Sequence, residues 1–327
     1  MPPRSTVGPV RVEMEREKIL IIKLGALGDV MMNTGLIRAV VERHPGADFT
    51  LMTHASIVPL MKQSGWFSDF IVDNRRGYGF SEMKRICWTE LARRKWDVIY
   101  DLQSSHRTLK VYYPLVRFLT RHPLTWGVTT PEYPLPHGII LRRTPAKRAF
   151  TWGRMTEERF DVNPPPPDIS FCHGEHRNFA LLPERYVLII PGCSPTNPEK
   201  RWPAERYRAV SEQFGAKGLK SVVLGTSAEA AEIQAVVKDN PHAVDFMNKA
   251  SLIDIPDLAH GAEIVIGNDT GPSHMARLAG AKTVMLFNAH TAEAAVEMPT
   301  VVNLKGRIIT DISVESAAAA MEGLMAT

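Results

Sequence analysis

A chain of 327 residues with 44% apolar and 23% charged residues has the composition of an ordinary globular protein, long enough for two domains of roughly 150 residues each; no run approaches the roughly 18 consecutive apolar residues that a membrane helix needs. The three cysteines, Cys87, Cys172 and Cys193, are odd in number and lack CxxC spacing, which argues against a disulfide framework and a zinc knuckle and fits a reducing compartment. Charge is divided unevenly: residues 1–163 hold 25 Lys and Arg against 16 Asp and Glu, while residues 164–327 hold 14 against 19.

The basic first half suits a polyanion or an anionic membrane surface. Each basic cluster (Arg75/Arg76, Arg93 to Lys95, Arg107 to Arg121, Arg142 to Arg154) reads equally well as a solvated face. No nucleic-acid-binding motif accompanies the charge, so no nucleic acid is expected as a partner. Cys172, His173 and His176 cluster after a proline-rich stretch, and the reading there is an irregular surface turn with no metal.

In chain order, residues 1–17 carry Pro2, Pro3 and Pro9 and no apolar h-region, and read as a flexible tail on a cytoplasmic protein. Ile19 to Ile22 form a short apolar strand and Leu24 to Asp29 a glycine-punctuated loop. Leu36, Ile37, Val40 and Val41 have helical spacing ended by Pro45-Gly46, and Phe49 to Met52 resume a strand. This βαβ unit implies parallel strands, and further strands are expected at Phe70 to Val72 and Val98 to Tyr100. Pro164 to Pro167 predict a semi-rigid linker. The expected division is a first domain over 18–163, a linker over 164–178 and a second domain over 179–327. In the second, strands are expected at Tyr186 to Ile190, Ser221 to Leu224, Ile264 to Ile266 and Thr283 to Phe287. Helices are expected from Pro203, over Ala228 to Val237 and from about Pro272. Two parallel α/β domains facing across a cleft bind ligands at the carboxyl ends of their strands.

Four loops at those ends carry chemistry. In the first, Gly25 and Gly28 let the backbone approach a ligand, and Asp29 reads either as a helix cap or as a general base at the cleft mouth. In the second, Pro191 to Pro203, the Ser194 and Thr196 hydroxyls and the Lys200 ammonium suit a diphosphate; an exposed lysine beside a packed Trp202 is the alternative. In the third, Glu229 suits ribose hydroxyls or merely a helix dipole. In the fourth, Asp269, Thr270, Gly271 and His274 crowd polar groups onto a helix start that favours anions. Neither half has the dinucleotide GxGxxG fingerprint, which disfavours an NAD-dependent dehydrogenase.

Taken together, the loops resemble glycosyltransferase family 9, the heptosyltransferases of the lipopolysaccharide inner core, from about Lys18 to about Ala320. Gly267 to His274 is similar to the family's D-T-G-x-S/M-H signature, Lys200 to Pro203 to its K-x-W-P element, Leu24 to Asp29 to its S-x-L-G-D loop, and Asp101-Leu102-Gln103 with Arg107 to its D-x-Q segment. The resemblance implies a glycosyltransferase B fold of two Rossmann-like domains, with acceptor bound in the first and nucleotide sugar in the second. It implies inverting transfer of a heptose or related sugar from an ADP-sugar, without obligatory metal or cofactor. Asp29 matches the general base and Lys200, with Ser194 and Thr196, the diphosphate contact. Glu229, Asp269, Thr270, Gly271 and His274 match the donor site, and Gly25, Gly28 and Arg107 the acceptor side. The acceptor implied is an anionic lipid or oligosaccharide, met at the cytoplasmic face of the inner membrane. Leu24, Gly25 and Phe287 to His290 depart from the family pattern. Other readings are a same-fold enzyme using another nucleotide sugar or a protein acceptor, and a non-catalytic nucleotide-sugar-binding protein.

Overall fold

The computed structural model describes residues 15–75, 80–103, 105–119, 125–128, 165–174, 182–292, 295 and 297–327. Within them the chain forms two parallel sheets. The first contains β1 (Lys18–Ile22), β2 (Asp48–Thr53), β3 (Asp69–Val72), β4 (Val98–Asp101) and β5 (Thr125–Val128) in the order β3-β2-β1-β4-β5. The second contains β6 (Tyr186–Ile190), β7 (Lys220–Gly225), β8 (Ala243–Met247), β9 (Ile264–Asn268), β10 (Thr283–Phe287) and β11 (Val301–Lys305) in the order β11-β10-β9-β6-β7-β8. Each is a Rossmann-like arrangement, winding outward in both directions from its first strand.

The central strands are unbroken apolar runs because helices cover both faces of a parallel sheet. Side chains alternate between faces. In β1, Ile19 and Ile21 enter one apolar core and Leu20 and Ile22 another. In β6, Leu188 and Ile190 share the core of Ile19 and Ile21, while Val187 and Ile189 enter a third. One apolar cluster therefore runs unbroken between the two halves.

The helices of the first half are α1 (Leu27–Met32), α2 (Thr34–Arg43), α3 (Val58–Gln63), α4 (Phe80–Arg85), which continues as a π-turn over Ile86–Leu91, and α5 (Tyr113–Leu119), preceded by a π-turn over Thr108–Tyr112. The second half has α6 (Ala204–Gly215), α7 (Ala230–Val237), α8 (Ile255–His260), α9 (Gly271–Leu278) and α10 (Val314–Met325). Two expectations shift. Pro203 is the extended residue that caps α6, not its first helical residue. α7 starts at Ala230, after a 3-10 turn over Ser227–Glu229 held by the Thr226 side chain. Among the described residues no helix is long and apolar enough to cross a membrane.

Of the expected linker, residues 165–174 form a strap across both halves; Pro164 and residues 175–178 lie outside the described residues, as do residues 1–14, Arg76, His176 and the cluster Arg142 to Arg154. The Asp168 amide donates to Thr34 Oγ1 at 3.0 Å, and Gln63 exchanges two hydrogen bonds with the His173 backbone. The Gly174 amide donates to Asp257 Oδ2 at 2.7 Å, on α8 of the second half. Phe171 packs edge-on against Trp66 at 5.1 Å between ring centroids.

Gly35 in α2 makes room for this strap: a Cβ there would lie 2.0 Å from the Pro165 carbonyl oxygen. Gly35→Ala is expected to destabilise the fold by up to about 2 kcal/mol, since overpacking costs about 1–3 kcal/mol against about 1 kcal/mol of helix propensity gained. An unchanged urea midpoint would show that the strap moves aside freely.

Candidate active site

In each sheet the chain reverses direction beside its first strand, between β1 and β4 and between β6 and β9, and the crevice at such a point is where open α/β sheets bind ligands. The loops leaving β1, β6, β7 and β9 converge on a cavity of about 420 Å³. The starts of α1 and α9 form its waist, in van der Waals contact. A Cβ on Gly28 would lie 2.8 Å from His274 Cδ2, and one on Gly271 would lie 2.9 Å from Leu27. Gly28 and Asp29 line the cavity from the first half, and Ser194, Lys200, Glu229, Asp269, Thr270, Gly271 and His274 from the second.

The second-half wall is built on Asn268, the last residue of β9. Its side-chain oxygen accepts from the Trp202 amide (3.0 Å) and the Tyr207 hydroxyl (2.9 Å), and its NH2 donates to the Pro191 (2.8 Å) and Gly192 (3.3 Å) carbonyls. All four hydrogen bonds of one buried amide are made, and both ends of the loop carrying Lys200 are fixed to β9. Trp202, fully buried, adds a bond from Nε1 to the Ile312 carbonyl at 2.9 Å and an edge-on contact with Tyr207. The sequence names Asn268 only as part of a turn; its polar side chain ending an apolar strand is the signal that marks it as a buried hub.

From that frame Lys200 Nζ reaches Asp269 Oδ2 at 2.7 Å, and His274 Nε2 lies 2.8 Å from Asp269 Oδ1. Burial pushes the Asp269 carboxyl up, but the hydrogen bonds and charges of His274 and Lys200 outweigh it and hold the group below the ordinary carboxylate value. Burial lowers the His274 pKa, and the charge of Arg277 one turn along α9 adds to this against the pull of Asp269 and Asp29. Near neutral pH His274 is thus a neutral imidazole donating through Nε2 to a carboxylate, and its charge acts on Asp269 only once it protonates at lower pH. Arg277 is itself fully buried, with Nη2 3.2 Å from Met32 Sδ on α1, and burial brings its pKa down to about 10.

The sign of the resulting pH dependence follows. An unfolded imidazole binds its proton near pH 6.5 while folded His274 does not, so stability falls as pH drops from about 6.5 towards the folded value. Asp269 acts in the same direction at lower pH: its contribution is complete above the unfolded carboxylate value and is lost as pH falls through the folded one. His274→Gln keeps the donor to Asp269 and is expected to flatten the fall in unfolding free energy that begins below about pH 6.5. An equal slope in the variant would assign the dependence to another group.

Asp29 stands where either of its sequence readings would place it. It occupies the first turn of α1 and accepts the Ala26 amide at 3.2 Å, while its carboxylate faces the cavity. Glu229 behaves alike: it reaches back to the Thr226 amide (2.9 Å) and lines the cavity, close enough to Gly192 that a Cβ there would lie 2.4 Å from Glu229 Cγ. Ser194 Oγ is 2.8 Å from Thr196 Oγ1, but Thr196 itself is exposed and does not line the cavity.

Two residues expected on the acceptor side stand apart from the cavity. Gly25, with φ +124°, is the turn before the lining begins; a Cβ on it would lie 3.3 Å from the Arg75 guanidinium. Arg107 is buried: its Nη2 and Nε bond the two Asp73 oxygens at 2.7 and 2.8 Å, and the Tyr112 hydroxyl donates to Asp73 at 2.6 Å. The fully buried Asp73 carboxylate needs a counter-charge, and Arg107 supplies it 34 positions along the chain. The Asp101-Leu102-Gln103 segment does support the first loop, since Gln103 Oε1 accepts the Leu24 amide at 3.0 Å.

Residues 154–304 match the family described as glycosyltransferase family 9 (heptosyltransferase), a span that includes the loops after β6, β7 and β9. The chain carries a glycosyltransferase family 9 domain. Over that span it is similar to glycosyl-transferring enzymes. Lipopolysaccharide heptosyltransferase 2 of Escherichia coli K12 is 23% identical over 288 residues, 83% of this chain and 82% of that one. Among solved structures, E. coli ADP-heptose LPS heptosyltransferase II superposes with a TM-score of 0.73 at 18% identity, over 94% of this chain and 98% of that one. The E. coli heptosyltransferase WaaC with ADP-2-deoxy-2-fluoro heptose gives 0.71 at 15% identity, over 94% and 99%. These likenesses establish the glycosyltransferase B fold, two Rossmann-like domains across a cleft.

Proposed function

We propose that this protein transfers a heptose or closely related sugar from an ADP-sugar to an anionic acceptor of the lipopolysaccharide core, with inversion at the anomeric carbon and at the cytoplasmic face of a membrane. The observation that carries the reading is the shared cavity: a carboxylate of one half, Asp29, and the Lys200–Asp269–His274 set of the other line the same space. The WaaC structure, obtained with an ADP-heptose analogue, and the similarity to lipopolysaccharide heptosyltransferase 2 support the donor and acceptor classes.

In this mechanism Asp29 takes the proton of the acceptor hydroxyl as that oxygen attacks the anomeric carbon from the first-domain side. The bond from that carbon to the β-phosphate oxygen breaks, and ADP departs towards Lys200 and the start of α9. Lys200 neutralises the charge developing on the diphosphate. Glu229 holds ribose hydroxyls, and His274 and Asp269 contact the sugar. Ser194, Thr270 and Gly271 complete the donor side, with Thr196 orienting Ser194. Gly28 lets the start of α1 come up against His274, and Gly25 turns the chain into that helix. Arg107 serves the acceptor indirectly, by fixing Asp73 at the end of β3.

ADP is expected to raise the melting temperature through mass action, by about 2.7 kcal/mol of stabilisation at one hundred times its Kd, and UDP to do so far less. Turnover of ADP-heptose with a core oligosaccharide, followed by mass spectrometry, tests the whole reading. A preference for UDP-sugars would overturn the donor assignment.

A further inference from the structure

Four large apolar residues are exposed among those described, and three of them lie on one layer of the first domain: Trp88 (57% exposed) on the π-turn after α4, and Leu115 and Phe118 (85% exposed) on α5. The two elements cover the same sheet face. Their inner sides, Ile86, Cys87 and Leu91 with Tyr112 and Val116, pack into one core with Leu20 and Ile22. Leu115 and Phe118, three apart on a helix, point together to the opposite side. On or next to the same elements Lys84, Arg85, Arg93, Lys95 and Lys110 are exposed, Lys95 being paired with Glu15, whereas the acids of these elements, Glu82 and Glu90, are half-buried and Glu90 is engaged by Arg85 and Arg94.

We infer that this face, α4 with its π-turn and α5, docks the protein on an anionic phospholipid bilayer, with Trp88, Leu115 and Phe118 entering the headgroup boundary. The mixture of residues selects the occupant. Protein–protein interfaces are depleted in lysine relative to the rest of the surface, whereas aromatic side chains accompanied by Lys and Arg are what the lipid interface favours. The basic side chains add attraction to anionic headgroups. The purpose of such docking, bringing the cleft to a lipid-linked acceptor, rests on the function proposed above; the surface itself does not.

The test is co-sedimentation of the full chain with vesicles of phosphatidylcholine alone and of equal parts phosphatidylcholine and phosphatidylglycerol. The wild-type chain is expected to bind the anionic vesicles, less so as salt rises. Trp88→Ser with Phe118→Ser, and separately Lys84→Glu with Arg85→Glu, are each expected to weaken binding by at least about tenfold, without changing the thermal shift given by ADP. Equal binding to both vesicle types, or undiminished binding by both variants, would overturn the proposal. So would a wild-type dimer by light scattering that the Trp88/Phe118 variant dissolves while neither protein binds vesicles. A chain that ignores anionic vesicles yet is stabilised by ADP loses the docking face and keeps its donor site; one that binds vesicles through these residues and ignores ADP keeps the docking face and loses the donor assignment.

Discussion

Asp29→Asn is expected to lower kcat by about 10²–10⁴-fold, the range over which a positioned general base contributes, while nucleotide affinity and melting temperature stay near wild-type. The asparagine substitution separates the two tasks of this side chain. Its amide oxygen still accepts the Ala26 amide that Asp29 accepts at 3.2 Å, so the start of α1 keeps its cap, whereas an amide does not take a proton from a hydroxyl. If turnover survives in Asp29→Asn but fails in Asp29→Ala, the residue is a cap and the base lies elsewhere. Single-turnover kinetics with saturating donor measures the step directly.

The second large effect is expected at Lys200. Lys200→Met removes the cation proposed to meet the leaving diphosphate, and a loss of about 10²–10³-fold in kcat is expected, as for removal of one preorganised stabiliser of developing charge. It also leaves Asp269, 6% exposed, with His274 as its remaining side-chain partner, a change that costs about 1–3 kcal/mol of stability. The two consequences separate in the double variant. Lys200→Met with Asp269→Asn is expected to recover the stability, because the buried charge is gone, and to recover none of the turnover. Recovery of both would mean that Lys200 serves the fold alone.

Much of the architecture is legible in the residues because the central strands are continuous apolar runs: β1, β6, β9 and β10 stand where their Ile, Val and Leu clusters lie. The edges are not. β8, Ala243–Met247, is half-buried for most of its length, and β11, Val301–Lys305, mixes Asn and Lys with Val and Leu; an edge strand covered on one side carries no such run. α10 escapes for a different reason, its buried stripe being built largely of Ala317, Ala318 and Met321 in an alanine-rich stretch. Within the site, the loops after β1, β6, β7 and β9 are readable from glycines and polar clusters, and the structure gathers most of their named residues around one cavity. What sequence does not reveal is pairing at a distance. Arg107 is cationic and lies near an apt motif, yet its charge is spent on Asp73, and the fourfold bonding of Asn268 depends on residues up to 77 positions away.

The approach of α1 to α9 sets a mechanical condition on the enzyme. Two hydrogens, on Gly28 and Gly271, stand where other residues would put carbon, and the halves touch through them beside His274. Any swing that widens the cleft has to pivot on this point or peel it apart; in a pivot, Asp29 and the loop carrying Asp269 sit nearest the fulcrum, where a given rotation displaces them least.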